Sequence, residues 1–206
     1  MEANATFWDN VSDKYARKAV PSEEVYQQKL AISRKYLTSD TALLEFGCGT
    51  GTTALKHATD VHRITAYDLS PAMIQIAKDK QQQQENADNV EFRVSAVEDI
   101  DFGHEAYDVV MGHSILHLTF NNEATLKKIY RGLKEGGVFI SGSGCLKDMN
   151  PLLRLVLPVM QFFGKAPPIN YFSAQELVDL HTAVGFEIAE RWDYKKGEIY
   201  LVARKR

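Results

Sequence analysis

The sequence predicts an α/β fold: a mostly parallel sheet of about seven strands, covered by helices on both faces and closed by an antiparallel hairpin. Three observations predict it. Short apolar runs of strand length alternate with helix-length segments from residue 41 onward. The first run, in LLEFGCGTG at 43–51, leads straight into Gly47, Gly49 and Gly51. WDYKKG at 192–197, between the last two runs, is too short for a helical crossover, so those two strands pair antiparallel.

Each element follows from its residues. Asn4–Lys18 and Ser22–Tyr36 have helical patterns, and Thr41–Phe46 is a buried strand that Gly47 ends. A helix near Thr52–Thr59, a strand at Arg63–Asp68, a helix from Pro71 and a strand at Val90–Val94 come next. Ser70 and Pro71 supply the N-cap and first position of the helix from Pro71. The alternation continues with a strand at Tyr107–Met111, a helix at Glu123–Leu133 and a strand at Val138–Ser141. A helix at Ala174–Ala183 and strands at Glu187–Asp193 and Ile199–Ala203 complete it. Regular alternation implies right-handed crossovers and a sheet covered on both faces.

Composition narrows the function classes. The chain has 206 residues, with 24 Lys and Arg against 27 Asp and Glu, a net charge of −3. This balance disfavours nucleic acid as the main partner, since phosphate neutralisation carries such affinity. Mean hydropathy is −0.28, and the most apolar stretch, Pro151–Gly164, is shorter than the roughly 20 residues of a membrane span. No stable membrane insertion is expected. Two cysteines, Cys48 and Cys145, make neither a disulfide framework nor a zinc site, which predicts a cytoplasmic protein with no metal.

Glycine at the strand-to-helix turn allows positive φ and close backbone approach to a ligand, while the helix start offers free N–H groups. Asp68, seventeen residues after Gly51, ends the next strand, where a carboxylate accepts hydrogen bonds from ribose hydroxyls. Together they point to a nucleoside-bearing ligand, and removing Asp68 is expected to weaken that ligand while barely changing stability. The dinucleotide pattern G-x-G-x-x-G would need glycine where Thr52 stands, which disfavours an NAD-dependent dehydrogenase.

At these residues the chain resembles the class I S-adenosylmethionine-dependent methyltransferases, whose first motif, an acid followed by G-x-G-x-G, stands here as Glu45, Phe46, Gly47, Cys48, Gly49, Thr50, Gly51. YDLSPAMIQIAK, VSAVEDIDF, YDVVMGHSILHL and LKEGGVFIS resemble the later motifs. FWDNVSDKY resembles the N-terminal helix of the ubiquinone and menaquinone methyltransferase-like small-molecule group, which folds over the cofactor. The resemblance implies a Rossmann-like doubly wound fold, a single domain over 1–206 with a helical cap at 1–38, and S-adenosyl-L-methionine as cofactor. It implies that Gly47, Gly49 and Gly51 take the methionine end, Asp68 the ribose, and Leu69 and Met73 the adenine side. Ala96 stands where the family has an Asp, so Val97 is expected to offer its N–H, and Glu98 or Asp99 the carboxylate. Tyr15, one stripe along from Trp8, is expected over the sulfonium, since an aromatic face favours a cation. His113 aligns where a backbone carbonyl usually meets the cofactor ammonium.

His113 and His117 are the candidates for a catalytic base, which a hydroxyl or carbon acceptor needs and a thiolate does not, and their spacing of four puts them on one face if a helix begins early after the strand. The segment 145–172 is long for a loop, apolar, and interrupted by Pro158. It is read as a lid insertion with Met160, Phe162, Phe163, Tyr171 and Phe172 lining a pocket for a nonpolar or aromatic small-molecule acceptor, with Met160 and Phe163 alternatively forming one side of a homodimer contact. A non-catalytic cofactor-binding module and, less favoured, an RNA methyltransferase are the alternatives.

Overall fold

The computed structural model describes residues 2–18 and 20–206. Met1 and Ala19, within the 1–38 cap expected from the sequence, lie outside the described residues. One seven-stranded sheet has the order β3-β2-β1-β4-β5-β7-β6. Its strands are β1 (Ala42–Phe46), β2 (Arg63–Asp68), β3 (Val90–Val94), β4 (Tyr107–His113), β5 (Leu133–Gly144), β6 (Phe186–Lys195) and β7 (Glu198–Lys205). The first five pair in parallel, while β7 runs antiparallel to both β5 and β6. The predicted hairpin is present, with its second strand inside the sheet and β6 at the edge.

The helices are α1 (Glu2–Ala16), α2 (Glu23–Arg34), α3 (Thr52–His57), α4 (Pro71–Gln82), α5 (Asn122–Gly132), α6 (Leu152–Phe162) and α7 (Ala174–Val184). Local chemistry sets several starts: Ser22, Ser70 and Asn121 each accept from a backbone N–H three residues on. Ser173 and Glu176 form a reciprocal capping box at α7.

All five residues of β1 are buried, as a strand covered on both faces requires. Leu43 faces one apolar layer with Ile64, Ile74 and Val109. Leu44 and Phe46 face the other, with Val110, Leu126, Ile129 and Phe139. The two layers clamp the sheet and fix the C-terminal ends of β1, β2 and β4.

The structure departs from the sequence reading at three places. β4 runs on to His113, and β5 begins at Leu133, ahead of Val138, across a register shift between Tyr107 and Val109. Residues 152–162 form a helix through Pro158, although proline removes one helical hydrogen bond. No helix links His113 to His117; Ser114 adopts φ +54 and a 3-10 turn follows at Leu116–Leu118.

Candidate functional site

The strand order reverses direction between β1 and β4, and a crevice outside their C-terminal ends is where such sheets hold ligands. Gly47 opens it at φ +64, and a Cβ there would lie 2.7 Å from Ile115 Cγ1, so only glycine fits. Gly49, at φ +53, has Tyr15 Cε1 3.6 Å from the position its Cβ would take, which places that ring over the glycine loop. Cys48 N–H donates to Tyr67 O at 2.9 Å and ties the loop to the end of β2.

Asp68 holds the loop as well. Its Oδ2 accepts from Gly49 N–H at 2.8 Å and its Oδ1 from Ser70 N–H at 2.9 Å. Burial pushes its carboxyl above the usual value, and these two N–H groups pull the other way. The expectation that Asp68 serves a ligand alone is therefore corrected: it also pairs two backbone donors of the turn. The residue still lines the crevice.

α1 closes one side. Asp9 Oδ1 accepts from the Ser70 hydroxyl at 2.5 Å and from Ala72 N–H at 3.1 Å, at the start of α4. Trp8 and Tyr15, edge to face at 6.4 Å, line the cavity from α1. Burial, with Asp68 and Glu45 nearby, raises the Tyr15 phenol.

The cavity measures about 890 Å³ and runs from Gly47, Gly49 and Asp68 to His117, Phe120 and Asn170. Leu69 and Met73 border it near Asp68, along with Ala96, Val97 and Glu98. Glu98 is already engaged, its Oε1 accepting from Phe120 N–H at 2.9 Å, and Asp99 is exposed and off the wall. Gly51 is also off the wall: a Cβ there would meet Ala77 Cβ and Phe92 Cζ at 2.7 Å, so its smallness serves packing of α4 on β3.

Glu45 lies beneath the loop, 2% exposed, with Oε2 unpartnered. Its Oε1 is 4.0 Å from His113 Nδ1, which is itself unpartnered. His113 Nε2 lies 3.2 Å from the Tyr200 hydroxyl, and that hydroxyl meets Ser33 Oγ at 2.8 Å. His113 thus joins a buried polar chain from the first strand to α2. His117 borders the far end of the cavity with a buried, unpartnered Nδ1, and burial lowers its pKa. Its carbonyl accepts from Asn170 N–H at 2.7 Å, while Asn170 Nδ2 donates to Thr119 O.

The far wall of the cavity differs from the sequence reading. Pro167, Pro168, Ile169 and Asn170 line the cavity, whereas Met160, Phe162, Phe163, Tyr171 and Phe172 do not. Phe172 sits in the core layer under α7, and Met160, Phe162 and Phe163 face away from the protein interior. Hydrophobicity alone does not say which side of a segment turns inward. Asp9 and Tyr200 were also missed. Their partners lie 61 and 87 residues away, beyond any local pattern, and only the PPIN turn at 167–170 offered a signal for the wall.

Residues 37–167 match a family model described as a methyltransferase domain. Among curated relatives, the malonyl-[acyl-carrier protein] O-methyltransferase of Priestia megaterium is 28% identical over 152 residues, 71% of this chain and 54% of that protein. The demethylmenaquinone methyltransferase of Lactiplantibacillus plantarum is 29% identical over 147 residues, 69% of this chain and 60% of that one. The chain thus matches a little over half the length of each. Among solved structures, geranyl diphosphate C-methyltransferase from Streptomyces coelicolor, crystallised with S-adenosyl-L-homocysteine, superposes with a TM-score of 0.73 at 15% identity. That match covers 89% of this chain and 76% of the other. By the family match over well over half its length, and by a fold that agrees with it, the chain belongs to the class I S-adenosylmethionine-dependent methyltransferase family.

Proposed function

We propose that this chain transfers a methyl group from S-adenosylmethionine to a small, mainly apolar acceptor bound at the His117 end of the cavity. The observation that carries this is the continuity of one cavity from the glycine loop and Asp68 to His117 and Asn170. Its volume lies near the top of the roughly 300–1,000 Å³ range of small-molecule sites, room for a cofactor and a second molecule.

The residues fit the cofactor. Gly47 and Gly49 leave a cradle that a Cβ would narrow or strain, Asp68 lines the cavity beside them as an acceptor for ribose hydroxyls, and the buried Glu45 carboxylate puts negative charge beneath the loop, favouring an ammonium group above it. Leu69, Met73 and Val97 flank an adenine ring, with Ala96 leaving its amino group to backbone acceptors, because Glu98 is held by Phe120 N–H. When bound, S-adenosylmethionine supplies a methyl carbon activated by its positive sulfur.

The protein's own contribution is alignment, which alone is worth roughly 7–11 kcal/mol of barrier. Trp8 and Tyr15 exclude water from the loop side, and their ring faces favour a cation by about 0.5–2 kcal/mol. His117 is the base for a hydroxyl or carbon acceptor: burial keeps its ring neutral near pH 7, and the residue borders the cavity at its far end. His113 takes a positioning role, since Tyr200 and Glu45 occupy its two sides.

Calorimetry against S-adenosylhomocysteine and NAD tests the cofactor, and release of S-adenosylhomocysteine with a panel of quinols, phenols and acyl thioesters tests the acceptor. Tight binding of the homocysteine product with turnover on an apolar acceptor is expected. Preference for NAD, or product binding with no turnover on any acceptor class, overturns the reading.

A further inference from the structure

α6 is built the wrong way round for a helix that packs on its own protein. Leu152, Leu155, Val156 and Val159 are 50–72% exposed, and Phe162 and Phe163 at its end reach 84% and 66%. At 100° per residue these side chains, with Leu153 and Met160, sweep about half of the helix circumference. Gln161 instead turns inward, its Nε2 donating to Pro167 O at 2.9 Å, and Leu157 is half-buried on the same side. The polar edge therefore faces the protein and the apolar half faces outward.

Charge selects the occupant. Residues 149–175 hold no Asp or Glu, although the chain carries 27 of them, while Arg154 and Lys165 lie within that stretch. An apolar half-cylinder in an acid-free segment that continues to the exposed Lys165 matches an anionic lipid surface: acyl chains take the apolar side chains and headgroups the lysine ammonium. A second copy of the chain would bring the same basic segment against itself. Turning its apolar half inward would cost α6 the local Gln161–Pro167 bond, made within the same segment. No helix among the described residues is long and apolar enough to cross a membrane, so contact of this kind stays at the surface.

We infer that α6 is a docking element for an anionic membrane surface, inserting Leu155, Val159, Phe162 and Phe163 among the lipids. The segment that carries it continues through Gly164 and Lys165 into Pro167–Asn170, so docking brings one rim of the cavity near the lipid surface. The inference goes beyond the proposed reaction and does not depend on it.

Sedimentation of the full chain with vesicles tests it, using phosphatidylcholine alone and an equimolar mixture with phosphatidylglycerol. The chain should sediment with the mixed vesicles, and Phe162→Ser with Phe163→Ser should lower the apparent affinity by at least about tenfold. Lys165→Glu should lower it less and reduce the preference for phosphatidylglycerol. Affinity for S-adenosylhomocysteine, measured by calorimetry, should stay unchanged in both variants, which separates this result from any failure of the cofactor reading. A wild-type chain that stays in solution with both vesicles overturns the inference, as does equal binding by the double serine variant. Concentration-dependent dimers that the double variant dissolves, without vesicle binding, assign the face to a second copy. Slowed hydrogen exchange in α6 on adding S-adenosylhomocysteine, again without vesicle binding, assigns it to a lid.

Discussion

The Ser70 hydroxyl donates to Asp9 Oδ1 at 2.5 Å, so a residue of the first helix caps the start of α4 from 61 positions away. The same oxygen takes Ala72 N–H, and Ser70 in turn accepts from Met73 N–H. Two of the free donors at that helix start are therefore met by a side-chain pair, two residues past Asp68. The helix that carries Trp8 and Tyr15 is tied to the Asp68 side of the cavity through this contact.

Asp9→Ala should release α1 from α4. Loss of a capping acceptor costs about 0.5–2 kcal/mol, and Trp8 and Tyr15 lose their fixed place over the glycine loop. Hydrogen exchange in α1 should accelerate, and dissociation of S-adenosylhomocysteine in stopped flow should quicken more than its association slows.

Asp68→Ala should lower both cofactor affinity and stability. It strands the N–H groups of Gly49 and Ser70, each worth about 1–3 kcal/mol when left unpaired. Calorimetry should record weaker product binding, and urea unfolding of the apo protein a lower midpoint. A variant that lost affinity with its midpoint intact would mean the turn holds without this carboxylate.

His117→Gln should cut turnover by about 10²- to 10⁴-fold on a hydroxyl or carbon acceptor, the usual contribution of a base. Product affinity should remain. Burial lowers the His117 pKa, so the acid limb of the rate profile should fall below pH 6.5. Activity therefore persists at pH 6.5 and is lost at lower pH, and the variant should lack that limb.

His181 governs acid stability. Its Nδ1 faces Leu177 O at 2.7 Å, its Nε2 is buried without a partner, and burial lowers its pKa to about 4. The unfolded chain takes up this proton near pH 6.5 and the folded chain only near 4, so stability falls as pH drops through that window. The slope from this one group approaches about 1.4 kcal/mol per pH unit. His181→Phe, which keeps the stack on Phe139, should flatten it in unfolding titrations from pH 7 to 4.

Much of the site was legible because its chemistry is local. Gly47, Gly49 and Asp68 follow from one strand, one turn and the end of the next strand, and Ser70 and Pro71 mark their helix start by residue type. What stayed hidden depends on distance or direction. Tyr200 reaches His113 only because β7 lies two strands from β4, and the partner of Asp9 is likewise remote in sequence. For 152–163 the pattern revealed apolar character but not that the apolar half turns outward, since amphipathicity ordinarily points the other way.

The position of β7 between β5 and β6 imposes an order of assembly on the nascent chain. β6 leaves the ribosome before β7 does, yet it has no partner in the sheet until β7 has docked against β5. Until β7 has been made, both backbone edges of β6 are open to other chains; afterwards one edge remains so. Tyr200 arrives with that same strand, so the ring that meets His113 is delivered only as the sheet is closed.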